Sequence, residues 1–174
     1  MKHAVRILSL ILALAFLIST AAAEKSWNYS EEECGSIIES YEFLDLGIQV
    51  GVPRRFHHEW PTPEQMERGV LAVYWNQDYT WSIGVIDVSD LNVHSFEEKM
   101  RELKADPEVK NPEMATINGM RAIVYSIPEY DSFYVYLRPG TFRAIEIEYT
   151  PMSELGRGKG QDLLISSVRP WTRY

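Results

Sequence analysis

Val-Leu-Ala-Val-Tyr-Trp-Asn-Gln-Asp-Tyr-Thr-Trp-Ser-Ile-Gly-Val-Ile-Asp-Val, residues 70–88, consists of two apolar runs around a polar centre. β-Branched and aromatic residues fill both runs, and Asn76, Gln77 and Asp78 part them, so the segment reads as a β-hairpin. A two-residue turn at Gln77-Asp78 would pair Tyr74 with Trp81, Ala72 with Ile83 and Val70 with Val85. Opposed side chains in an antiparallel pair share a face, so these six make one apolar surface. The other surface holds Leu71, Val73 and Trp75 opposite Thr80, Ser82 and Gly84. A strand pair this apolar on both sides needs cover on both sides, which predicts a sheet with helices on each face.

Downstream, Ser95 and Glu98 form a capping box ahead of Phe96, Met100 and Leu103, the i, i+4, i+7 stripe of a helix running to about Ala105. Met114–Ile117 and Met120–Ile127 flank Asn118-Gly119, whose tolerance of positive φ suits a type I′ hairpin turn. A third pair, Phe133–Arg138 and Thr141–Tyr149, turns at Pro139-Gly140. Gly156, Gly158 and Gly160 then lead into a final helix over about Gln161–Val168. Upstream, residues 54–68 hold Pro61 and Pro63 among polar side chains and read as a long loop. Leu44, Leu46, Ile48, Val50 and Val52 alternate as a strand, and Ser30 with Glu33 caps a short helix over 31–40 bearing Ile37, Ile38 and Tyr41 on one side. Successive hairpins with helices between and after them predict an α+β fold. Its core is a mainly antiparallel β-sheet of about six to seven strands with helices on both faces.

The first residues look like a secretory signal peptide. Lys2, His3 and Arg6 precede an apolar run, Ile7–Ile18, and small residues lead to an expected cleavage after Ala23. The run is short for a membrane span, so no transmembrane segment is expected once residues 1–23 are removed. Residues 24–174 then form one domain. Losing Lys2 and Arg6 takes the formal charge from −8 to −10. An acidic chain without a basic block is a poor partner for nucleic acid or anionic membrane. Cys34 is the only cysteine, so no internal disulfide forms. It reads either as a small buried apolar residue or as a free thiol able to bridge two chains. Asn28-Tyr29-Ser30 matches the glycosylation sequon, which matters only in a host that glycosylates exported chains.

Four groups of residues could carry chemistry. His57-His58-Glu59 suggests a metal, but on a strand His57 can join Glu59 and not His58. Zinc needs three protein ligands or more, and the only other histidine after the leader is His94. Arg157 and Lys159, among glycines before the last helix, could hold an anion, although the phosphate-loop spacings are missing. Glu146 and Glu148 share a strand face and could form an acid–base pair, or simply mark the solvated side opposite Ile145, Ile147 and Tyr149. Tyr74, Trp75, Tyr79 and Trp81, and a second group of Tyr134, Tyr136 and Arg143, could stack on a sugar or anchor a partner, or form core. Sugar binding requires Trp75 to be exposed. No catalytic, cofactor-binding or metal residue is assigned.

Several phrases resemble the PsbP-like (DcrB-like) superfamily of small exported α/β/α sandwich domains. They are Tyr41-Glu-Phe-Leu-Asp-Leu-Gly-Ile-Gln-Val-Gly-Val-Pro53, Ser95-Phe-Glu-Glu98, Ile117-Asn-Gly-Met-Arg-Ala122 and Leu163-Leu-Ile-Ser-Ser-Val168. The resemblance spans residues 41–168 and implies a central antiparallel sheet with helices on both faces. It also implies an extracytoplasmic accessory role, binding or helping to assemble other components, and carries over no site residue. The expectation is therefore an exported, non-catalytic binding domain of the periplasm or cell surface, without cofactor. It would be a monomer or weak dimer, with another exported or envelope protein as partner. The alternative is an exported hydrolase or metal-dependent enzyme built on His57 and Glu59 or on Glu146 and Glu148.

Overall fold

A computed structural model describes residues 24–89, 95–139, 143–155 and 159–172. The leader with its cleavage point after Ala23, His94 and Arg157 lie outside the described residues. In chain order the elements are β1 (Lys25–Trp27), α1 (Glu31–Cys34), β2 (Ile38–Phe43), β3 (Ile48–Pro53), β4 (His57–Glu59) and α2 (Pro63–Glu67). Then come β5 (Val70–Trp75), β6 (Ser82–Asp87), α3 (Phe96–Ala105), β7 (Lys110–Ile117) and β8 (Met120–Ile127). The chain closes with β9 (Ser132–Leu137), β10 (Ile145–Thr150), α4 (Met152–Leu155), α5 (Lys159–Ser166) and β11 (Arg169–Pro170).

Eight strands form one sheet in the order β1-β7-β8-β9-β10-β6-β5-β4, antiparallel except for the β1–β7 pair. β11, β3 and β2 form a second, antiparallel sheet. The strand total therefore exceeds the six to seven expected. β1, β4 and β11 are only two or three residues long, too short to show a period. β2 lies where a helix is expected: α1 stops at Cys34, and Ile38–Phe43 pairs with β3 instead of extending the helix past Gly35. Leu44–Leu46 is a 3-10 turn closed by Gly47, which shortens the expected strand to β3.

The inner face of the large sheet carries Ala72, Tyr74, Ile83, Val85, Val124, Val135, Ile147 and Tyr149, all buried. Ile48, Val50 and Val52 of the second sheet close over it, together with Leu164 and Ile165 of α5. Phe133 and Tyr149 stack within this core, ring centroids 4.5 Å apart. Each fully buried Ile or Val here contributes about 1.5–3 kcal/mol relative to exposure. The outer face is met by α3, whose Leu103, Phe96 and Met100 pack on Ile123, Tyr125, Tyr134 and Tyr136. A helix thus lies on each face of the sheet, although the outer one covers β7–β9 and not the β5–β6 hairpin, and the inner layer is shared with the second sheet. Among the described residues, no helix is long and apolar enough to cross a membrane.

Two local departures shape the outer face. The β5–β6 loop is longer than two residues, so Tyr74 pairs with Ile83 and Ala72 with Val85. The Asn76 side chain is the reason: its Oδ1 accepts from the Thr80 and Trp81 N–H groups, both at 2.9 Å, and Tyr79 takes a φ of 55°. A shift of two residues preserves the faces. A bulge between Val70 and Ala72 then pairs Val70 with Ile86, on the outer side. The expected 54–68 loop is also structured. β4 pairs with β5, and Thr62 and Gln65 form a reciprocal capping box on α2, with Pro63 opening the helix.

Candidate functional site

The outer face divides along β10. On one side, Ser95 Oγ accepts from the Glu98 N–H and starts α3. Lys99 lies three residues after Phe96 and four before Leu103, so helical spacing aims it at the sheet. It is only 6% exposed. Lys99 Nζ stands 3.0 Å from Glu146 Oε1 and 5.4 Å from the centre of the Tyr136 ring. The Tyr125 hydroxyl donates to the same Glu146 oxygen at 2.8 Å. Glu146 is thus not a solvated residue, because α3 covers it and supplies its counter-charge.

Tyr125 stacks on Tyr134 at 4.9 Å, and the Tyr134 hydroxyl donates to Glu148 Oε1 at 2.7 Å. Burial, reinforced by the neighbouring carboxylates and their hydrogen bonds, raises the pKa of both phenols well above the usual value of 10. Both stay protonated and donate. Glu148 has no lysine or arginine within salt-bridge reach among the described residues.

On the other side of β10 the short α2 packs on β5, and among the described residues no helix crosses the sheet centre. Cross-strand pairing lines up Glu59, Val73, Gly84, Glu148, Tyr134 and Tyr125 in one row. The next row holds His57, Trp75, Ser82 and Thr150. Between them runs an open groove of about 270 Å³, lined by Val70, Val73, Trp75, Gly84, Glu148 and Tyr130, among others. Gly84 forms part of its floor. A Cβ placed there would lie 3.7 Å from Glu148 Cβ and Oε2, an ordinary contact, and its φ is not positive. Gly51 differs, since a Cβ there would come within 2.2 Å of Ser167 Oγ. Packing requires a glycine at 51 and does not require one at 84.

The residues singled out from sequence fall around this surface. His57 and Glu59 share the outer face at the β4 edge, with His57 Nε2 3.8 Å from Glu59 Oε1. The Tyr79 hydroxyl donates to that carboxylate at 2.9 Å. His58 points to the other face, against Tyr74 and Trp60. Among the described residues, no three His, Cys, Asp or Glu side chains gather to hold a metal. Glu59 and Glu148 are three strands apart, about 14 Å at the usual strand spacing. Trp75 is half-buried and lines the groove. Tyr134 and Tyr136 share the outer face, whereas Arg143 lies apart and pairs with Asp87 at 2.9 Å. Asp87 is held below the usual carboxylate range: burial would raise it, but bonds from Ser89 and Arg143 outweigh that.

Elsewhere, Lys159 is exposed and borders a depression of about 560 Å³ with Lys25, Trp27 and Asp162. Asp162 puts a carboxylate in the first turn of α5 and accepts from Trp27 Nε1 at 2.7 Å, which opposes an anion at that end. Cys34 is fully buried, 3.9 Å from Ser166 Oγ, in keeping with the small-apolar reading. A depression of about 620 Å³ near Arg54 and Arg55 takes in Trp81, on the inner side of the hairpin and away from Trp75.

No family model matches the chain, and a search of the curated proteins finds no match. Solved structures do match. Cyanobacterial PsbP (CyanoP) from Synechocystis sp. PCC 6803 aligns with a TM-score of 0.52 over 78% of this chain and 93% of that one, at 14% identity. The fold is PsbP-like. At that identity the likeness speaks for architecture, and the PsbP-like core accounts for the sheet and its covering layers. Lys99, Tyr125 and Gly84 are what the sequence reading missed. The helical spacing of Lys99 relative to Phe96 and Leu103 is the one signal that could have found it.

Proposed function

We propose that the protein is an exported, non-catalytic binding or accessory domain, which uses the outer face of its sheet to engage another exported or envelope protein. The leader pattern Lys2–Ala23 supports export, and the PsbP-like fold is compatible with an accessory role by analogy of architecture. One observation carries the reading. The two candidate groups do not make one site, since the His57–Glu59 edge stands three strands, about 14 Å, from Glu148, and one member of the adjacent Glu146–Glu148 pair is already taken up within the fold. Glu146 is engaged by Lys99 and Tyr125. The uncovered groove between these groups offers recognition chemistry instead.

The test is made in the host. Photo-crosslinking residues are introduced in turn at Trp60, Ile37 and Tyr130, three exposed sites in different connecting segments, and the recovered protein is sequenced from its N-terminus. A first residue of Glu24 and a crosslinked polypeptide from at least one site are expected. An uncut leader would overturn export, and no crosslink from any site would overturn the accessory role.

A further inference from the structure

We propose that the groove over Gly84 receives a lysine or arginine side chain of a partner polypeptide, with Glu148 as its counter-ion and Trp75 as an aromatic wall. This rests on the accessory reading above and names the chemistry of the partner.

The protein solves the same problem once within itself. Glu146 lies two residues from Glu148 on the same face, and Lys99 neutralises it while sitting over the Tyr136 ring. Glu148 has the equivalent surroundings, a tyrosine donor on one side and an aromatic ring across the groove, but among the described residues no cation within salt-bridge reach. A half-buried carboxylate between apolar walls concentrates negative potential, and Glu59 on the same face adds to it. A cation above Gly84 would lie between Glu148, one strand away, and the strand bearing Trp75, so both attractions act together.

Gly84 is the second observation. Mid-strand glycine weakens a sheet, and it often marks a place where a ligand comes close to the backbone. No positive φ and no steric contact demand it here. Its effect is to leave room beside the carboxylate.

Size and charge favour a side chain on a polypeptide over a small ligand. The groove, at about 270 Å³, falls below the roughly 300–1,000 Å³ of ordinary small-molecule pockets. Exposed Tyr130 lines it, and exposed Tyr79 lies 5.9 Å from Trp75, giving a rim for the rest of a partner. The formal charge of −8 steers basic partners toward the chain.

The experiment uses isotope-labelled protein as its host exports it. Probes are Ac-Gly-Lys-Gly-NH2, Ac-Gly-Arg-Gly-NH2, the uncharged norleucine peptide and free n-butylammonium. The readouts are the amide signals of Val73, Ser82 and Gly84 and the indole N–H of Trp75. We expect a saturable shift of these signals with the lysine or arginine peptide, and at least tenfold weaker binding of norleucine. Glu148→Gln, which keeps an acceptor for Tyr134, should weaken the basic peptide at least tenfold. Gly84→Ala should weaken it several-fold, with both variants otherwise giving native spectra. Equal shifts from norleucine, or undiminished binding by Glu148→Gln, would overturn the proposal. So would n-butylammonium binding as tightly as the peptides, because a free amine would then be the occupant. The host crosslinks separate the two readings. A crosslink from Tyr130 that disappears with Glu148→Gln supports both. A partner captured only from Trp60 or Ile37 leaves the accessory role standing and removes the groove. No crosslink from any site removes the accessory role itself.

Discussion

Glu146 and Glu148 are neighbours on one face of β10, yet the two halves of the outer sheet treat them differently. Over β7–β9 the chain supplies its own cover, and α3 brings Lys99 to within 3.0 Å of Glu146. Over β5–β6 only the short α2 reaches the edge at β5, and Glu148 looks into a groove floored by glycine. The first half is a finished interior. Among the described residues, the second has the same ingredients apart from the cation and a helix across its centre. Alternation along a strand fixes which face a side chain joins, but what covers that face is decided by the topology.

Lys99→Met should show the contrast most strongly. Removing the ammonium leaves Glu146, whose side chain is 12% exposed, without its partner. Breaking a buried pair from one side costs about 3–5 kcal/mol. Denaturant unfolding should therefore show a large fall in midpoint at unchanged slope. Lys99→Met combined with Glu146→Gln should recover most of the loss, since the amide still accepts from Tyr125 and no charge is buried. Glu148→Gln alone should change stability by less than about 1 kcal/mol, because no ion pair is broken and the amide still accepts from Tyr134. If it cost as much as Lys99→Met, Glu148 would belong to the interior and the two halves would be alike.

The tyrosines attached to the two carboxylates give the next effect, at high pH. Tyr125, Tyr134 and the fully buried Tyr149 are all held protonated beyond the usual 10, and Tyr74 is pushed up to about 12, chiefly by burial in each case. Below pH 10 folded and unfolded chains alike keep these protons, so stability is unaffected. Above it the unfolded chain releases them and the folded chain does not, so stability falls as pH rises. Phenolate absorbance should therefore lag behind the exposed tyrosines and appear with unfolding. Glu148→Gln removes a charge that raises Tyr134, so its phenolate should appear at lower pH while Tyr125, held by Glu146, moves little. An equal movement of both would mean that the carboxylates act as one site.

How much of this could be read from sequence depended on how local each signal was. Asn118-Gly119 turns where expected, with φ values of 48° and 81°, because a type I′ turn is specified by the two residues in it. α3 begins at Ser95 for the same reason. The β5–β6 register was missed because Asn76 caps the loop through three side-chain bonds, an arrangement not evident from apolar patterning. α2 carries a legible capping box, Thr62 to Gln65, but buries no residue, and its polar composition concealed it. Strand alternation puts Glu146 and Glu148 on one face, as found. It does not reveal Lys99 as a partner, because a lysine beside a hydrophobic stripe usually reaches water.

The smallest expected effect is the most specific. Gly84→Ala places a methyl 3.7 Å from Glu148, where there is room, and restricts only the unfolded chain. A glycine in an unstrained conformation replaced by alanine gains about 0.4–1 kcal/mol. The substitution should therefore raise stability slightly, measured by the unfolding midpoint, while weakening the basic peptide at the same site. Opposite signs in the two measurements are what a glycine kept for access would give. If stability falls instead, the strand needs that glycine for its own packing, and the open half of the face loses the feature that sets it apart from the closed one.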